Sequence, residues 1–113
     1  MAVVTSHVLN AVDGTHAGGV EATLYRCGEP DPVFATRTDA GGRLSQEIDL
    51  GTADPDTQYE LVFATASYWA GRPEGAGRIP EIVLRFTMPD RNGTYHMPLI
   101  LSPNAYTVWS SDG

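Results

Sequence analysis

Cysteine is almost missing from this chain: Cys27 is the only one, so neither an intrachain disulfide nor a thiolate metal cluster can form within it. Basic residues are scarce as well, seven against fourteen acidic ones, and the net charge of -7 repels nucleic-acid backbones and anionic lipid surfaces. Long apolar runs are absent. No stretch approaches the roughly 20 residues of a membrane span, and the start "MAVVTSHVLN" has neither a basic region nor the apolar segment of a secretion signal. No membrane partner, no nucleic-acid partner and a cytoplasmic location are the resulting expectations. Helical periodicity is missing too, apart from "TASYWAGR" (65–72), about two turns long and stopped by Pro73. Several catalytic motifs are also absent. There is no HxH, HExxH or CxxC metal spacing, no GxSxG nucleophile elbow and no phosphate-binding glycine pattern leading into a helix.

What the chain does contain is strand signal. Runs at 3–9, 19–26, 33–38, 44–50, 58–65, 81–87, 95–102 and 105–109 are rich in β-branched, aromatic or alternating residues, about eight short strands in all. Between them lie Gly, Pro, Asp and Asn clusters whose backbone preferences make turns. With 113 residues and 42% apolar content, the chain is expected to form one domain over 1–113 with a real core. Many short strands without βαβ spacing predict an all-β sandwich or small barrel and argue against a parallel sheet. In "QYELVFAT", Tyr59, Leu61 and Phe63 share one face and are assigned to the core. "YHMPLILS" is apolar on both faces beyond His96, which fits a strand covered by its own core on one side and by a partner subunit on the other.

Few residues are candidates for chemistry. His7 and His96 sit within strands, where each is either a hydrogen-bonded structural residue or a catalyst; His16, in the loop "GTHAGG", reads as solvated. Arg43 follows the turn "TDAGG" and opens a strand, a place suited to a surface charge or to orienting an anionic or carbonyl-bearing ligand. Two histidines with solvent can hold a metal only opportunistically, so no metal centre is assigned. Cys27, at a strand end entering a turn, reads as a surface or half-buried thiol.

Four segments, in order, carry a resemblance: "SHVLNAVDGTHAGGVEATLYR", "TDAGGRL", "YELVFATASYWAG" and "YHMPLILSPNAYTVW". Together they resemble the transthyretin-like family, whose enzymatic members are 5-hydroxyisourate hydrolases. The resemblance implies an antiparallel β-sandwich of two four-stranded sheets with one short helix. It also implies a homotetramer built as a dimer of dimers, no cofactor, and active sites in the channel between dimers. The family's catalytic positions carry over to His7, Arg43 and His96, the residues already isolated. His7 and His96 would act as the acid/base pair, and Arg43 would anchor a small heterocyclic substrate whose ring amide is opened by water. The hydrolases characteristically end in Tyr-Arg-Gly-Ser, which folds into the pocket. Here the matching positions read Trp109, Ser110, Ser111 and Asp112, and the first three are taken as substrate-contacting. Tyr to Trp exchanges a hydroxyl that donates and accepts for an indole N–H that only donates, and Arg to Ser removes a fixed charge. Asn10 and His16 stand where the family usually has aspartate and proline. Three functions follow: a hydroxyisourate hydrolase with a divergent tail, an enzyme repurposed for another small cyclic substrate in a biosynthetic pathway, or a carrier of small ligands.

Overall fold

The computed structural model describes residues 1–112; Gly113, with which the expected domain ends, lies outside them. The chain order is β1 (Ala2–Asn10), β2 (Glu21–Arg26), β3 (Pro32–Arg37), β4 (Arg43–Ile48), β5 (Gln58–Phe63), α1 (Thr65–Ala70), β6 (Ile82–Thr87), β7 (Thr94–His96), β8 (Leu99–Ser102) and β9 (Ala105–Val108). The strands form two sheets. One has the order β4-β1-β8-β9, with β7 also paired to β1; the other is β3-β2-β5-β6 and antiparallel throughout.

The alternation in the sequence explains which side faces in. Along β1, Ala2, Val4, Ser6, Val8 and Asn10 are buried, while Val3, Thr5, His7 and Leu9 point the other way and are half-exposed. Tyr59, Leu61 and Phe63 of β5 are buried as expected, and they join Val4, Val8, Leu24, Leu99 and Leu101 in one core. Each such large side chain contributes roughly 1.5–3 kcal/mol of burial. Helix α1 spans six residues and buries Thr65 and Trp69, spaced four apart on one face. Among the described residues no helix is long and apolar enough to cross a membrane. Cys27 is half-buried with a free thiol.

The run 95–102 departs from a single strand. It breaks into β7 and β8 at Met97 and Pro98, because a proline has no N–H to give the ladder. The register nevertheless continues: Thr5 pairs with His96 and Val8 with Leu99, the same offset of 91 residues. Two bonds bridge the break. The Met97 N–H donates to the Thr5 carbonyl at 3.0 Å, and the buried Ser6 hydroxyl donates to the Met97 carbonyl at 2.7 Å. Counted as one interrupted strand, β7 and β8 complete a four-stranded sheet.

Neither sheet is parallel throughout, as expected, but one of them is mixed, since β1 runs parallel to both β7 and β8. Parallel neighbours need a long crossover, and that crossover need not be a helix. Here the chain leaves β1, builds β4 and the whole second sheet, and returns after β6 to lie beside it.

Ser6→Ala tests the bridge across Pro98. Removing a hydroxyl that satisfies a buried carbonyl should cost about 1–3 kcal/mol, read as a lower denaturation midpoint at unchanged m-value. An unaltered midpoint would show that the Ser6 bond does not hold the strands together.

Candidate functional site

β1 is the axis of the site. Arg43 of β4 lies directly opposite His7, and His96 of β7 directly opposite Thr5. Thr5 and His7 alternate onto the outer face of the sheet, and directly opposed residues share a face. His7, Arg43 and His96 are therefore brought together there, with His7 and Arg43 as cross-strand neighbours about 5 Å apart at Cβ.

Arg43 is set by its turn. The Asp39 carboxylate accepts the N–H groups of Gly41 and Arg43 at 2.9 Å each, and the Asp39 N–H donates to the Arg43 carbonyl at 2.8 Å. Gly42 adopts φ +75°, and its carbonyl accepts the Val8 N–H at 2.7 Å; a Cβ there would collide with the Val8 carbonyl oxygen. The glycine thus lets the turn lie directly on β1, one residue past His7. Arg37, Arg72 and Arg85 have carboxylate partners, whereas among the described residues Arg43 takes part in no salt bridge.

His96 is fixed by both backbone and ring. Its Nδ1 lies 2.7 Å from the Thr5 hydroxyl, which leaves Nε2 to meet a ligand. Its backbone exchanges two hydrogen bonds with Ser111, at 3.0 and 2.9 Å, so the tail continues the β9 pairing alongside β7. A depression of about 450 Å³ is lined by Thr5, Ser6, Asp39, Arg43, Thr94 and His96. His7 is not among its walls, and its ring is engaged elsewhere.

That engagement is with His16, a loop residue whose sequence setting predicts only exposure to solvent. His16 is exposed, yet its Nδ1 lies 3.0 Å from His7 Nε2 and the ring centroids are 5.0 Å apart. The loop folds back on β1 through the Asn10 N–H to the Thr15 carbonyl at 2.8 Å and the Ala17 N–H to the Val8 carbonyl at 2.9 Å. One signal was present in the sequence: "NAVDGT" is a turn sequence, and a chain reversing there returns alongside the strand it left.

His7 titrates below the ordinary imidazole value. Burial is the first cause and the Arg43 guanidinium the second; His16 and His96 add to the effect, and a backbone hydrogen bond with Gly41 opposes it. Each lowering influence disfavours a positive ring, so His7 is neutral and able to accept a proton under conditions where a free imidazole is partly charged. Among the described residues no group of three or more His, Cys, Asp and Glu side chains is arranged to hold a metal ion.

The tail divides. Ser111 is tied to His96, whereas Trp109, 48% exposed, and Ser110 line a separate groove of about 290 Å³ with Phe86, Met97 and Val108.

Comparison with known proteins gives consistent results. Residues 4–110 match the model of the HIUase/Transthyretin family. A 5-hydroxyisourate hydrolase of Pseudomonas aeruginosa is 33% identical over 115 residues, covering 96% of this chain and 90% of its own. One from Deinococcus radiodurans is 35% identical over 111 residues, covering 94% and 92%. Among solved structures, transthyretin from Sparus aurata superposes with a TM-score of 0.80 at 25% identity, covering 96% of this chain and 95% of the other.

A proton titration of the histidine ring resonances by NMR checks the electrostatics. His7 should show a midpoint below the usual value of about 6.5, and Arg43→Gln should move it upward. The linkage has a definite sign: the unfolded state binds the proton more tightly, so His7 subtracts stability as pH falls from the ordinary value through the lowered one. A midpoint at or above the ordinary value would contradict the role given to burial and Arg43.

Proposed function

The chain belongs to the HIUase/Transthyretin family, and from that premise we propose that it is a 5-hydroxyisourate hydrolase-like enzyme that opens a ring amide by histidine-assisted attack of water. The observation that carries this reading is the meeting of His7, Arg43 and His96 on one sheet face, with a guanidinium that among the described residues has no carboxylate partner. In this assignment neutral His7 takes a proton from water as the oxygen adds to the ring carbonyl. Arg43 holds the substrate and the negative charge that develops on the carbonyl oxygen, and a fixed cation needs no reorganisation to do so. His96, oriented by Thr5, gives a proton to the departing ring nitrogen as the carbon–nitrogen bond breaks.

The face that carries these residues is open in the single chain, and Val3, Leu9 and Ile100 on it are only half-buried. A homotetramer formed as a dimer of dimers would cover that face and turn the depression into a channel. The free thiol of Cys27 suits a reducing cytoplasm, where purine breakdown is the pathway that uses such a hydrolase.

A second reading has its own support. Trp109 and Ser110 stand where the hydrolases' tyrosine and arginine would be, and both line the groove away from His96. An enzyme with the same three residues but another small cyclic substrate, acting in a biosynthetic pathway, fits that tail. A carrier role, suggested by the likeness to a transthyretin, gives no reason for two histidines beside an arginine that takes part in no salt bridge among the described residues.

The test is the ultraviolet decay of freshly generated 5-hydroxyisourate. Added protein should speed it, and His7→Ala or His96→Ala should each slow turnover by about 10²- to 10⁴-fold. No acceleration by an intact tetramer would favour the repurposed enzyme, and unchanged rates in either variant would remove that histidine from the mechanism.

A further inference from the structure

The depression beside His96 carries two opposite charges that do not meet. Arg43 and Asp39 both line it, yet among the described residues neither takes part in a salt bridge. The turn between them accounts for this. Asp39 commits Oδ1 to the N–H groups of Gly41 and Arg43, which ties its carboxylate to the Arg43 backbone and not to the guanidinium. Oδ2 has no hydrogen-bond or ion-pair partner among the described residues. The other polar side chains of the depression include Thr5, Ser45 and Thr94, whose hydroxyls either donate or accept. Arg43 can only donate and Asp39 Oδ2 can only accept, so these two groups set the pattern that a ligand has to match.

We propose that Asp39 is a specificity-determining residue whose Oδ2 accepts a ring N–H of the substrate while Arg43 holds the carbonyl oxygen beside it, so that the depression selects neutral cyclic amides and ureides. The proposal deepens the hydrolase reading above and rests on it. Ring closure supplies the geometric reason. An open-chain amide is trans and points its N–H and C=O in opposite directions, whereas a small ring forces the amide cis and presents both on one edge. That edge has one donor and one acceptor side by side, the complement of a carboxylate oxygen and a guanidinium. Both hydrogen bonds involve a charged partner, which makes them stronger than neutral ones.

Hydrolysis destroys the match. The oxygen of water bonds to the carbonyl carbon, the carbon–nitrogen bond breaks, the nitrogen takes a proton, and the new carboxyl group ionises near neutral pH. The resulting carboxylate still suits Arg43, but it stands beside Asp39 as a like charge. The same aspartate therefore favours substrate over product. A heterocycle that has lost its ring proton is disfavoured in the same way, since it brings a negative charge and no donor to Oδ2.

Asp39→Asn and Asp39→Ser test this in the intact protein. Asparagine keeps an oxygen to cap the turn and replaces the other with an N–H group that only donates; serine can cap the turn but offers nothing at the Oδ2 position. The probes are uracil, which is neutral and has cis N–H/C=O edges, 1,3-dimethyluracil, which lacks the N–H groups, and urate, an anion near neutral pH. Binding is followed on the His7 and His96 ring resonances by NMR. Wild type should prefer uracil to dimethyluracil by roughly tenfold to hundredfold, the ratio that one hydrogen bond to a charged group carries. Both variants should lose most of that preference and bind urate more tightly than wild type does. The His7 midpoint, which Arg43 helps to lower, should not change if the turn still holds Arg43 in place. In turnover of 5-hydroxyisourate, Asp39→Asn should raise KM by a similar factor and strengthen inhibition by the product. A wild type that does not distinguish the two uracils, or an Asp39→Ser protein that keeps the wild-type preference, would overturn the proposal. Wild-type protein that leaves 5-hydroxyisourate untouched would overturn the hydrolase reading instead, and the uracil preference would still decide the role of Asp39.

Discussion

β1 is held against β7 and β8 in one parallel register across a proline that cannot take part in the ladder. The Met97 N–H to the Thr5 carbonyl, the Ser6 hydroxyl to the Met97 carbonyl, and the Thr5 hydroxyl with the His96 ring hold it, within two consecutive residues on each side, Thr5 and Ser6 against His96 and Met97. A slip of one residue would send His96 to the core face and Met97 to the outside. The antiparallel register of β1 with β4 sets Arg43 opposite His7, so the two registers that meet on β1 together fix the spacing of both histidines and the arginine. The core and the site therefore share one constraint. Val4, Ser6 and Val8 point inward to pack or bond, and the residues between them, Thr5 and His7, point outward to the face that carries the candidate site.

The electrostatics of the site run against the charge of the molecule. A net charge of -7 does not favour the approach of an anion, but charges beyond a Debye length of about 8 Å are largely screened at physiological ionic strength. Within that distance the depression is lined by the Arg43 guanidinium and by the Asp39 carboxylate, which caps its own turn, and among the described residues Arg43 takes part in no salt bridge. The same guanidinium helps hold His7 neutral, so under the proposed function one side chain would both attract a polarised carbonyl and keep the base in working form.

Much of this was readable beforehand, and the exceptions have physical reasons. Period-two alternation marked the β1 and β5 cores, and the turn "TDAGG" located Arg43, because both signals are local. The parallel pairing of β1 was not legible: the connection between β1 and β7 is an entire sheet, and no local pattern encodes a partner that far away. The break at Pro98 could have been read from the proline, but the continued register depends on Ser6, a residue that looks like any strand serine. His16 was missed for a related reason. An exposed loop histidine carries no periodicity, and only the folded return of the "NAVDGT" turn brings it to His7. Trp109 and Ser110 line another groove in the single chain, and under the proposed function they would be the place where substrate choice departs from the hydrolase pattern.

Groups that act on one reacting centre lose function together, whereas independent groups lose it separately. A kinetic cycle through wild type, the two single alanine variants at His7 and His96, and the double variant measures this directly for the pair that β1 and β7 bring to one face. If they form one site, the double variant should lose about as much kcat as the worse single variant. Losses that multiply would contradict a single site built by that register.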